Sequence, residues 1–193
     1  MKRFICAVAL CVAVSAYAQE DAPKAPLTLA SVEEQIKAKP DDPMLHYAKC
    51  KLLFAAGKQQ EAIDFAKVTL GKFVQAKNEL AWIILGSINT DKYRVDVHYN
   101  MGRNERVNPA DVRFVMTRPY SFRAWSREEP AQLVRILDFE ISYGGGKPMT
   151  AAVGQTTSGG HSNYGMLETD ADFATVKAKV LSVFDAKEIP ATD

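Results

Sequence analysis

The sequence predicts an α+β fold: an N-terminal helical hairpin, then a small antiparallel β-sheet domain, closed by a C-terminal helix. Three observations carry this. Between Ser31 and Phe73 apolar residues recur at spacings of three and four; from Tyr93 onward they alternate; from Phe173 to Phe184 the helical spacing returns. Helices grouped before strands, rather than interleaved with them, point to an antiparallel sheet.

The first residues read as a secretory signal, with Lys2 and Arg3 before the apolar run Phe4 to Val14 and a small-x-small site at Ala16-Tyr17-Ala18. Cleavage near Ala18 sends the chain to a periplasm or out of the cell. No later stretch has the roughly 18 to 20 apolar residues of a membrane helix, so no transmembrane segment is expected. Removing Lys2 and Arg3 takes the formal charge from +1 to −1, a balance that argues against a nucleic-acid partner. Of Cys6, Cys11 and Cys50 only the last remains, so no internal disulfide forms and Cys50 reads as a small buried hydrophobe.

Residues 19–30, with Pro23 and Pro26, form a polar leader. A helical region follows over 31–89. Ser31 and Glu34 stand at capping-box spacing, and Pro40 stops that short helix. Asp42-Pro43 starts a stronger one: aspartate caps the free amides, and proline at the first helical position lacks only a donor that would be unpaired anyway. Leu45, Leu52, Leu53 and Ala56 supply its apolar face up to Gly57, where a left-handed residue ends a helix readily. A second helix from Gln59, with Ala62, Ile63, Ala66, Leu70 and Phe73 inward, makes an antiparallel pair with the first.

The run Asp41-Asp42-Pro43, His46-Tyr47, Cys50, Leu53, Gly57 and Glu61-Ala62-Ile63 resembles one tetratricopeptide repeat, and Trp82-Ile83-Ile84-Leu85-Gly86 resembles the W-x-x-L-G opening of another. The resemblance covers residues 41–88. It departs from the family pattern at Lys49, where leucine is usual, and after Ile88. It implies a helical hairpin that binds another protein.

The α+β domain is expected over 92–186. Tyr93, Val95, Val97 and Tyr99 alternate with Arg94, Asp96 and His98 as a strand with one wet face. After a loop over Met101 to Pro109, Val112, Phe114 and Met116 alternate again until Arg118-Pro119, and 120–130 reads as irregular, anchored by Trp125. Gln132 to Tyr143 is the longest strand, Gly144 to Pro148 turns the chain, and Met149 to Thr157 returns it. Tyr164 and Met166 follow in a short strand, and Asp170 caps the last helix.

Candidate chemistry is sparse. Gly144-Gly145-Gly146-Lys147 lacks the spacing of a phosphate loop and reads as a hairpin turn. His46, His98 and His161 are scattered, with no paired cysteines or H-E-x-x-H, so no metal and no cofactor are expected. No catalytic residue is assigned, since His161 and its neighbouring serines lack a nucleophile-elbow context. The unusual feature is arginine: seven of the eight that follow the signal lie between Arg94 and Arg127, while the helical half uses lysine alone. Guanidinium groups suit carboxylate, sulfate or phosphate, but they also pair with Glu128, Glu129, Asp138 and Glu140 on a solvated surface.

The leading expectation is an exported, non-enzymatic interaction or scaffold protein with a protein partner. The alternative is a binding module for a small anionic or glycan ligand, using Arg103, Arg106, Arg113, His161, Asn163 and Tyr164.

Overall fold

The computed structural model describes residues 27–70, 82–100 and 115–190. Helices α1 (Leu29–Ala38), α2 (Pro43–Ala55) and α3 (Gln59–Phe65, running into a π-helical turn at Ala66–Leu70) precede six strands, and α4 (Phe173–Phe184) closes the chain. The strands are β1 (Trp82–Asn89), β2 (Arg94–Asn100), β3 (Val115–Trp125), β4 (Leu133–Gly144), β5 (Lys147–Thr157) and β6 (Gly160–Leu167). They lie in sequence order in one antiparallel sheet. This is the α+β architecture expected from the switch in periodicity.

Helix starts follow from local chemistry. Asp42 Oδ1 accepts from the Met44 amide at 2.9 Å, with Pro43 at the first helical position. The α1 cap is Thr28, whose hydroxyl accepts from the Ser31 amide while the Ser31 hydroxyl accepts from the Thr28 amide. The expected Ser31–Glu34 box is therefore displaced by one turn. Likewise α4 is capped by Asp172, which accepts from the Thr175 amide at 2.8 Å, rather than by Asp170. Gly57 ends α2 at φ +79°.

The sheet begins earlier than its sequence suggests. Trp82–Gly86, expected to open a second helical repeat, belongs to β1 and pairs with β2, Ile83 opposite Tyr99 and Gly86 opposite Val97. The run Trp82-Ile83-Ile84-Leu85 is rich in β-branched residues, and pairing with β2 decides its state. Nor does Arg118-Pro119 end β3. The strand runs on to Trp125 with a register shift between Thr117 and Tyr120, so the proline, which has no amide hydrogen, falls at the irregularity. Between β4 and β5, Gly144 pairs with Lys147 around Gly145 and Gly146 at φ +56° and +77°, a two-residue turn that needs positive φ at both positions.

One face of the sheet carries the core. Val95, Val97 and Tyr99 from β2, Tyr120, Phe122 and Ala124 from β3, Leu137, Phe139 and Ile141 from β4, and Ala151 and Val153 from β5 are all buried there. Phe173 at the start of α4 packs on Phe54, Tyr120 and Phe122, tying the last helix to α2 and to the centre of the sheet. Each fully buried phenylalanine contributes about 1.5–3 kcal/mol. Helix α2 sits close on β1 because Gly86 has no side chain: a Cβ there would lie 2.5 Å from Phe54 Cδ1. Cys50 is fully buried in the same core, and burial pushes its thiol up to about 12.

Candidate functional site on the open sheet face

The opposite face is polar at its centre, with Ile84 and Ile136 toward its margins, and no described helix covers it. Register alone assembles it. One row across the strands reads Ile84, His98, Ser121, Asp138, Gly154 and Asn163, and the next reads Ser87, Asp96, Arg123 and Ile136. Because side chains alternate along each strand, residues two apart stack these rows on one surface.

Glu140 is the centre of the face. Its side chain is only 4% exposed, yet both carboxylate oxygens are bonded to cations or potential cations: Oε1 accepts from Arg118 Nε at 2.8 Å, and Oε2 lies 2.5 Å from His161 Nε2. An ionised carboxylate only accepts, so the imidazole hydrogen sits on Nε2. Gly154 makes room for this pair, since a Cβ would lie 2.8 Å from His161 Nε2 and 3.0 Å from Glu140 Oε2. Arg118 also donates to Thr156 Oγ1 at 2.9 Å and stands 3.7 Å from Asp138. The outer members of the network, Arg118 and His161, are each 39% exposed.

Burial raises the Asp138 carboxyl above the usual range and Glu140 adds to that, against the opposing hydrogen bond from Ser121 and the charge of Arg118. His98 is lowered, by burial and by Arg123. Toward β1, Asp96 accepts from Ser87 Oγ at 2.7 Å and pairs with Arg94 at 3.3 Å, while Arg94 also lies over the Trp125 ring. Three arginines thus stand among three carboxylates.

The residues singled out from the sequence divide. Arg103, Arg106 and Arg113 lie outside the described residues. His161 enters the Glu140 network, in strand β6 rather than in the loop expected. Asn163 shares that face, but its side-chain oxygen accepts from the Gly165 amide at 2.8 Å and holds the irregularity of β6. Tyr164 is on the other face: its ring lies under Arg135 and its hydroxyl donates to Gln155 Oε1 at 3.2 Å, beside the end of α4. Strand alternation alone separates it from His161, because positions three apart point to opposite faces. Arg118, Asp138 and Glu140 were visible as an arginine facing acidic strand positions, but their convergence depends on register.

Chemically, His161 and Glu140 form an oriented imidazole without a partner hydroxyl or thiol hydrogen-bonded to it among the described residues, which is half of a nucleophilic constellation. Arg118 and His161 each commit some nitrogens to the network. The second terminal nitrogen of Arg118 and Nδ1 of His161 make no hydrogen bond among the described residues. The network therefore presents an arginine N–H next to an imidazole nitrogen, which accepts when the ring is neutral and donates when it is charged. No protein-family model, curated protein or solved structure matches the chain.

Proposed function

We propose that this is an exported, non-enzymatic binding protein whose open sheet face holds a hydroxyl-rich ligand, a glycan or an acidic sugar. The observation that supports it is the Arg118–Glu140–His161 network over Gly154, anchored on a buried carboxylate and half-exposed at its outer nitrogens. A hydroxyl group both donates and accepts, so it can meet an arginine N–H and an imidazole nitrogen in either of the ring's protonation states. The pairing of Arg94 and Arg118 with carboxylates leaves little free positive charge for a simple polyanion. Trp125, with Arg94 over its ring, lies on the same face. Export after Ala18 suits a ligand met outside the cytoplasm.

A protein partner on the α2–α3 hairpin is the second reading. Met44 at 56% and Val68 at 62% exposure place apolar surface there, although the inward faces of both helices, with Cys50, Leu53, Phe54, Ala62 and Ile63, are spent on the core.

One experiment separates the two. The signal-free chain, fluorescently labelled, is applied to arrayed neutral and uronic-acid oligosaccharides and to immobilised extracellular proteins. Binding to a sugar that falls at least about tenfold, about 1.4 kcal/mol, in Arg118→Ala and not in Met44→Glu supports the first reading. Sugar binding absent at micromolar protein, with protein capture lost in Met44→Glu, would replace it by the second.

A further inference from the structure

The two edges of the sheet are finished differently. At β1 the edge is closed in two places: Tyr47 of α2 donates its hydroxyl to the Ile84 carbonyl at 3.0 Å, and the segment after α4 returns so that the Ile189 amide donates to the Asn89 carbonyl at 2.9 Å. A bridge between Thr90 and Glu188 continues that cover. At β6 no described segment pairs with the outer side, and Gly160 to Asn163 are exposed.

Exposed edges are normally blunted by lysine, by inward charges, by proline or by a covering element, because a row of unpaired amides and carbonyls pairs with any strand that arrives. The β6 sequence Gly160-His161-Ser162-Asn163-Tyr164-Gly165-Met166-Leu167 contains no Lys, Arg, Asp, Glu or Pro. Its one ionisable side chain near the free end, His161, is turned onto Glu140. Its irregularity, at Tyr164 between Asn163 and Gly165, comes directly after the Gly160–Asn163 stretch and leaves those four residues in regular register with β5.

We propose that β6 pairs antiparallel with β6 of a second copy of this chain, joining two sheets into one continuous sheet. The strand suits itself as a partner. Antiparallel self-pairing is a two-fold contact in which the same groups meet from both sides, and no like charges are brought together across it. The covered β1 edge decides the stoichiometry: with one free edge per chain among the described residues, association stops at two copies instead of extending as a fibre. The inference does not depend on the ligand proposed for the open face, although pairing here fixes the backbone that carries His161.

Ser162 is the residue to test. It is exposed near the middle of the free stretch, and its side chain makes no hydrogen bond among the described residues. Sedimentation velocity of the signal-free chain from low to high micromolar concentration should show a concentration-dependent dimer. Ser162→Lys and Ser162→Glu should each sediment as monomers with unchanged circular dichroism, and mixing the two in equal amounts should restore the dimer by opposite-charge pairing. A wild-type chain that stays monomeric throughout would overturn the proposal. So would a dimer that survives in both charged variants alone, or a mixture that fails to recover it.

Discussion

The two faces of the sheet use the same strands and opposite rules. On the helix side, stability comes from apolar area, and positions tolerate little because neighbours are fixed: Phe122, Leu137, Val153 and Phe173 are fully or almost fully buried. On the open side, burial is reached with charged and hydroxyl groups. There Glu140 stays buried because two partners satisfy its oxygens, as a buried charge must be to avoid a large desolvation cost. A close-packed face resists change, while a network ending at half-exposed side chains can rearrange. That difference is the basis for proposing a ligand on the second face.

Two glycines put this contrast to a direct test. Gly86 and Gly154 both sit where a Cβ would collide, but Gly86 meets the buried Phe54 ring and Gly154 meets the half-exposed His161 imidazole. Gly86→Ala should therefore cost the most, about 1–3 kcal/mol by overpacking, read as a lower midpoint in urea unfolding. Gly154→Ala loses a hydrogen bond to the buried Glu140 carboxylate, about 1.5–3 kcal/mol, and should cost less than Gly86→Ala only in so far as the imidazole swings outward and water reaches Oε2. Its larger consequence is local: the His161 ring resonances should shift toward those of a solvent-exposed histidine, and sugar binding should fall. Equal destabilisation by both variants would show that the open face is as rigid as the core.

The smallest expected effect concerns protonation on the open face. Burial and Arg123 hold His98 below its ordinary value, so on acidification the unfolded chain takes up that proton first, near pH of about 6.5. Stability contributed by neutral His98 is present above that pH and is lost as pH falls toward the lowered folded value. Asp138 acts with the opposite sign, because its raised carboxyl favours protonation in the folded state at lower pH. His98→Gln should accordingly flatten the decline in melting temperature between neutral pH and about pH 5.5. An unchanged slope would mean that His98 is solvated in the folded protein.

Much of the architecture was legible in order. The Asp42-Pro43 start, the Gly57 stop, the Gly145-Gly146 turn and the apolar stripe Phe173, Val176, Val180, Leu181 and Phe184 each depend on neighbours within a few residues, so local chemistry suffices. The errors in the strands have one cause, whereas the caps of α1 and α4 were misplaced by a few residues among neighbouring cap-forming side chains. Trp82–Gly86 carries a pattern that a helix or a strand can wear, and only pairing with Val97 and Tyr99 makes it β1. Pro119 stops a strand on local grounds, yet a bulge accommodates it because β4 continues alongside.

The site was less legible than the fold, for the same reason. His161 and Tyr164 are three residues apart and looked like one cluster in a loop, but in a strand that odd spacing sends them to opposite faces. Glu140, Arg118 and His161 are far apart in the chain and meet because β3, β4, β5 and β6 stand side by side. By itself the sequence determined period, the Asp42-Pro43 cap, the glycine turns and the balance of charge, all properties readable without tertiary contacts. Tertiary structure decided which strand lies beside which and in what register. A shift of one residue exchanges the buried and exposed sets of a strand, so no local signal could have placed the network over Gly154.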